Sequence, residues 1–168
     1  MARSRLAGTR SPNWAFMERF VIPHYDDPKG PPYLIRWRLI QCPLFGIYLH
    51  RLGTADPRDT LHNHPWPFIS FVLRGGYTEY VPGNPKYVPG HTEYAQPIRV
   101  RYVNIKRFKN SFHWIAELDR IPTWTLMFVG RRRRVWGYLD RDGTFTNFDE
   151  HHFNTEFLLA LAEQGDAA

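Results

Sequence analysis

Residues 61–81 read LHNHPWPFISFVLRGGYTEYV, and this stretch decides the fold class. The runs at 68–73 and 77–81 are aromatic and β-branched, too short for helices, and separated by Arg74-Gly75-Gly76. A glycine pair between two β-forming runs predicts a hairpin, which places Glu79 opposite Val72. The same punctuation continues outward. On the N-terminal side YLIRWRLI (33–40) alternates, with Leu34, Arg36 and Arg38 on one face and Tyr33, Ile35, Trp37 and Leu39 on the other. FGIYLHRL (45–52) follows it. On the C-terminal side come PIRVRYVNI (97–105), HWIAEL (113–118), WTLMFV (124–129), VWGYL (135–139) and TFTNF (144–148). Short strands joined by Gly/Pro turns, with no helix between them, predict an all-β sandwich or barrel.

Both ends read differently. Ser11-Pro12 offers a cap followed by proline, and Trp14, Met17, Phe20 and Val21 lie at helical spacing, so a short helix is expected over 12–21. Phe153, Phe157, Leu158 and Leu161 predict a C-terminal helix within 149–164, ended by Gly165. The expected division is therefore an arm and short helix in 1–32, a barrel in 33–148, and a helix and tail in 149–168, all in one domain.

Composition narrows the class. Aromatics make up 16% of the 168 residues, which excludes a disordered chain, and fourteen prolines with twelve glycines exclude a helical bundle. No apolar run of about 18 residues is present to span a membrane as a helix. The basic N-terminus has no apolar segment behind it, so a secretory leader is not expected. Cys42 is the one cysteine and forms no intrachain disulfide, which fits a reducing, cytoplasmic setting. Net charge is +6, carried mainly by arginine. That charge suits polyanionic partners, although a GC-rich genome yields the same arginine excess.

The sharpest chemical signal is His62-Asn63-His64. In extended chain, residues i and i+2 point to one face, so two imidazoles can converge on one ion from rigid backbone. His113, opening a predicted strand after a turn at Asn110, is the best third ligand. Solvated loop histidines are the competing reading of an H-x-H pair. The apolar strand that follows it favours the metal.

On these residues the chain resembles the cupins. Their first motif is H-x-H, three or four residues, Glu, six residues, Gly, and here His62, His64 and Gly75 or Gly76 match it. Their second motif ends Pro-x-Gly-x-x-His. Here it is Phe108-Lys109-Asn110-Ser111-Phe112-His113, with Phe108 in place of the proline and Asn110 in place of the glycine. The wider pattern over about 33–140 is similar to small single-domain cupins of bacteria and their phages. The resemblance implies a double-stranded antiparallel β-barrel of jelly-roll type holding a divalent transition metal on His62, His64 and His113. Iron(II) leads, with manganese, nickel or zinc as alternatives. The motif glutamate does not carry over, since its positions hold Phe68 or Ile69. That leaves either a three-histidine set, as in the thiol dioxygenases, or a carboxylate arriving from elsewhere, for which Glu79 is the candidate as ligand or proton acceptor. An exposed strand glutamate is the commoner case.

Neutral histidines leave an ion its full charge and favour a small anionic substrate. Arg36 with Arg38, or Arg99 with Arg101, can clamp such an anion if they point inward, and Arg101 joins Glu79 as a catalytic candidate. The default for both arginine pairs is the wet face of a half-buried sheet. His50 reads as a core histidine or part of a pocket wall. The Trp and Tyr residues read as core, and Cys42 as a structural thiol. His24, His91 and the adjacent His151-His152 lack partners in sequence. Arg131–Arg134 is the densest charge and could contact nucleic acid, with a solvated turn paired to Asp140 or Asp142 as the default. The reading is a metal-dependent oxidoreductase or isomerase. Its alternatives are a non-catalytic ligand-binding cupin and a basic accessory protein on nucleic acid. A homodimer is compatible with the aromatic content, and no membrane partner is expected.

Overall fold

The computed structural model describes residues 4–5, 14–24, 30–56, 61–82, 95–106, 111–139 and 145–147, and among them every regular element is a strand. In chain order these are β1 (Ser4–Arg5), β2 (Ala15–Ile22), β3 (Leu34–Gln41), β4 (Gly46–Leu52), β5 (Leu61–His62), β6 (Phe68–Arg74) and β7 (Tyr77–Pro82). They continue with β8 (Ala95–Val100), β9 (Val103–Lys106), β10 (Trp114–Leu118), β11 (Thr123–Val129), β12 (Gly137–Leu139) and β13 (Phe145–Asn147). One layer is the sheet β1-β2-β3-β4-β11-β6-β9. The other consists of β10-β7-β8 and β13-β12-β5, joined where His62 and His113 pair through their backbones. All pairings are antiparallel except β1 with β2. Two antiparallel layers around a shared interior agree with the jelly roll that the cupin resemblance implies.

Alternation sets the inner face. On β4, Gly46, Tyr48, His50 and Leu52 are buried and alternate with half-buried neighbours. Register then aligns Leu34 with Leu52, Arg36 with His50 and Arg38 with Tyr48, and carries the rows onward to Thr125 and Met127 of β11. Apolar residues close one end of the interior, where Leu34 and Leu52 pack with Tyr77, Val100 and Ile115 of the other layer. A second apolar cluster joins Tyr48, Phe68, Met127 and Val129. A third cluster joins Leu61 and Trp114, and beside these apolar groups many buried side chains are polar: Glu18, Arg38, His50, Ser70, Glu79, Asn104, Lys106 and His113 all lie inside.

Four expectations are corrected. Within the stretch 12–21 expected as a helix, the described part is the strand Ala15–Ile22, in which Glu18 and Phe20 face inward to Arg38, whose guanidinium ion-pairs with Glu18 at 2.9 Å and lies over the Phe20 ring. The sheet thus includes residues assigned to the arm. Second, β6 and β7 do not form a hairpin. β6 pairs with β11 and β9, and β7 with β10 and β8, so Gly75 and Gly76 carry the chain from one layer to the other. Gly75 has φ +87, and a Cβ there would lie 2.5 Å from the Thr123 hydroxyl, so only glycine fits the crossing. Third, the run at 97–105 is two strands. The chain crosses between layers at Arg101-Tyr102, and the Tyr102 carbonyl accepts a hydrogen bond from the Val72 amide. Fourth, Arg36 and Arg38 occupy the inner face rather than the wet one, whereas Arg99 and Arg101 are exposed as expected. The expected C-terminal helix lies outside the described residues.

Candidate metal centre

The three histidines converge through backbone pairing. His62 and His113 are direct cross-strand partners, exchanging N–H···O bonds of 2.9 and 3.0 Å, so their side chains stand next to each other on one face. His64, two residues on, returns to that face. Asn63, pointing away, locks the segment to β12: its amide donates to the Gly137 carbonyl and its side-chain carbonyl accepts from the Gly137 amide, each at 3.0 Å. One nitrogen from each of His62, His64 and His113 lies within 4.8 Å of the others. The Nε2 atoms of His64 and His113 are 2.8 Å apart.

Glu79 is not beside them as a fourth ligand. It is 1% exposed, and its carboxylate is occupied by three donors. His113 Nδ1 donates to Oε2 at 2.6 Å, Asn104 Nδ2 donates to the same oxygen at 2.9 Å, and Lys106 Nζ closes on Oε1. Burial pushes this carboxyl up, but the hydrogen bonds and charges of His113 and Lys106 outweigh it and pull it down to about 2. Because Glu79 accepts from Nδ1, a proton of His113 sits on Nδ1, and Nε2 is the nitrogen turned to the cluster. On the other side, Asp56 stands 3.6 Å from His62 Nδ1. Asp56 is itself fixed by the Ile115 amide at 2.5 Å and by the Tyr33 hydroxyl.

The donor set fits a metal ion. Burial holds His62 down to about 4 against the opposing pull of Asp56, and burial followed by the neighbouring His113 and His62 holds His64 well below its ordinary value, so both are neutral near pH 7. Neutral imidazole is the form that ligates. Imidazole nitrogens about 2.1 Å from one ion stand about 3.0 Å apart at right angles and about 3.4 Å apart in a tetrahedron. The His64–His113 pair is already near the first spacing. Between two such nitrogens either an ion or one shared proton must lie, since two bare lone pairs repel.

Other candidates sort clearly. Arg101 is exposed at the bend between β8 and β9 and is not brought to the histidines. Arg99 is paired with Asp119 at 3.1 Å. His50 is buried and accepts the Arg36 Nε–H at 2.9 Å, and burial, followed by the Arg36 charge, holds it well below its ordinary value. The arginine run braces the site. The Arg133 amide donates to the Pro65 carbonyl at 2.8 Å, immediately after His64, and Arg134 Nη1 donates to Ser111 Oγ at 3.0 Å, two residues before His113. Asn110, His91, His151, His152, Asp140 and Asp142 lie outside the described residues. Reading the sequence missed Asp56, Asn104 and Lys106. The available signal for Asp56 was an Asp-Pro pair just upstream of the histidines. Asn104 and Lys106 alternate with Val103 and Ile105, which points them outward under the usual polarity.

No protein-family model matches the chain, and no curated protein matches it. Among solved structures, hydroxypropylphosphonic acid epoxidase from S. wedmorenis is similar at TM-score 0.45 and 17% identity, over 67% of this chain and 55% of that one. The chain thus spans about half the length of that protein. Fe(II)-HppE with an alternative substrate is similar at the same TM-score and identity, over 67% and 56%. A cupin-superfamily sugar phosphate isomerase from Silicibacter pomeroyi is similar at TM-score 0.39 and 16% identity, over 74% and 82%.

Proposed function

We propose that this protein binds a divalent transition metal on His62, His64 and His113 and is a metal-dependent enzyme acting on a small anionic molecule. Iron(II), used in the dioxygenase manner, is the leading candidate. The observation that carries the reading is the half-buried pair of Nε2 atoms 2.8 Å apart, one of them on a ring whose other nitrogen is anchored by Glu79. A buried carboxylate that fixes a histidine's tautomer is the usual support of a ligating imidazole. Such an ion would supply Lewis acidity and open coordination positions. The protein's own part is to hold three imidazoles in register, to keep the Nδ1 proton of His113 directed at Glu79, and to place Phe68 against the site, with its ring centroid 4.8 Å from that of His64. With no carboxylate among the three, the ion keeps its +2 charge and favours an anionic partner.

The test is metal content by plasma mass spectrometry on tag-free protein, wild type beside His62→Ala and His113→Ala. Near-stoichiometric metal that disappears in both variants is the expected result. Wild-type protein that is metal-free and takes up none on reconstitution overturns the reading.

A further inference from the structure

Three cationic side chains point into the interior from the seven-stranded sheet, and they are not equivalent. Arg38 has Glu18 at 2.9 Å, and Lys106 has Glu79. Arg36 has no carboxylate partner among the described residues. Its Nε donates to His50 Nε2 at 2.9 Å, and its guanidinium carbon lies 5.4 Å from the centre of the Tyr48 ring. The two terminal nitrogens have no hydrogen-bond partner among the described residues. Half-buried, Arg36 is surrounded closely enough that burial brings it down to about 10. A desolvated guanidinium without a counter-charge is costly, and the cost is offset where an anion completes it.

The surroundings orient this group. Because His50 accepts from Nε, its own proton is on Nδ1, and it holds the guanidinium plane fixed while leaving the forward pair of N–H groups exposed. Tyr48 stacks on His50, with ring centroids 6.2 Å apart, and shares an apolar cluster with Phe68. Phe68 in turn contacts the His64 ring. Arg36 is therefore one layer of packed rings away from the histidine cluster.

We propose that Arg36, held by His50, is the seat for an oxyanion of carboxylate or phosphate type. Its occupant being the substrate of the metal centre rests on the function proposed above; the seat itself does not. Two parallel N–H donors in a plane match two oxygens of one anion, which a lysine ammonium cannot do.

The test is calorimetric titration of metal-free protein with inorganic phosphate and, separately, with acetate. Wild type is compared with Arg36→Gln, Arg36→Lys and the exposed control Arg99→Gln. At least one anion is expected to bind wild type, and Arg99→Gln should match it. Arg36→Gln should lose at least tenfold in affinity. Arg36→Lys, which keeps the charge and serves if the glutamine variant fails to fold, should lose several-fold. Failure of both anions to bind wild type, or wild-type affinity in the Arg36 variants, overturns the proposal. Zinc titration of the same proteins separates the two readings. Zinc that binds wild type and Arg36→Gln alike, with anion binding indifferent to Arg36, keeps the metal centre and removes the seat. Arg36-dependent anion binding in a protein that takes no zinc does the reverse.

Discussion

Replacing Glu79 with methionine separates what this carboxylate does for the fold from what it does for the histidines. Glu79 is 1% exposed and neutralises Lys106, which is 8% exposed. Removing one member of a buried pair leaves the other uncompensated, at a cost of about 3–5 kcal/mol. The carboxyl's fall from 4.5 to about 2 gives the same scale, on the order of 3 kcal/mol at neutral pH. Urea denaturation of metal-free protein, followed by tryptophan fluorescence, should therefore show Glu79→Met destabilised by about 3 kcal/mol or more. Glu79→Met/Lys106→Met removes both charges and should recover most of that loss. Metal affinity should not recover, because His113 Nδ1 still lacks its acceptor. Competition with a chromophoric chelator, using zinc, should show a drop of about 10–100-fold in both variants. A single variant within 1 kcal/mol of wild type would refute the buried-pair reasoning. Wild-type zinc affinity in the double variant would show that Glu79 serves only to balance Lys106.

Three further outcomes are expected. The folded-state pKa of His50 is depressed, so its contribution to stability is complete above about 6.5 and is lost as pH falls below that. His50→Gln keeps an acceptor for Arg36 but cannot titrate; its stability should fall less steeply than wild type below pH 6.5, by up to about 1.4 kcal/mol per pH unit, and identical slopes would remove His50 from the account. Arg134→Met should lose about 1 kcal/mol in thermal or urea unfolding by releasing Ser111, whereas the exposed Arg131→Ala and Arg132→Ala should stay within about 0.5 kcal/mol of wild type. Gly75→Ala should cost about 2 kcal/mol or more, since it combines φ +87 with a contact on fully buried Thr123; an unchanged midpoint would show that the crossing relaxes freely.

The strands themselves were legible because alternation and Gly/Pro turns are local. Eight of the predicted runs, from 33–40 to 144–148, coincide within two residues of an observed strand end to end, and only 97–105 does not. Pairing was not legible. The glycine pair at 75–76 marks a sharp turn, but a hairpin and a crossing between layers require the same residue there, and only Thr123 packed against Gly75 decides between them. Residues 15–22 carry large apolar side chains that satisfy helical and strand spacing alike. The inward pull of Glu18 on Arg38, twenty residues away in sequence, settles it. At the site, the H-x-H pair and His113 were legible from strand parity. That His62 and His113 are backbone partners was not, because the pairing joins residues 51 apart in the sequence.

What misled the reading most is that parity identifies two faces of a strand without saying which one is inside. On β3 and β9 the usual polarity is reversed. Arg36, Arg38, Asn104 and Lys106 face the interior, while Val103 and Ile105 are 46% and 55% exposed. On β6 the inner positions are Phe68 and Ser70, and Ile69, Phe71 and Leu73 face out. A barrel built only for stability gains nothing from this arrangement, since buried ions and hydrogen-bonded polar groups at best break even with apolar packing of the same volume. Among the described residues Arg38 is matched by Glu18 and Lys106 by Glu79, and Asp56 is held by hydrogen bonds beside His62, whereas Arg36 has no carboxylate partner. Arg36 and the histidine cluster are the two places among the described residues on which the proposed anion seat and the proposed metal site rest. Tyr48 and Phe68, which share an apolar cluster, link the two, so the polar groups of this interior are explained together if both proposals hold.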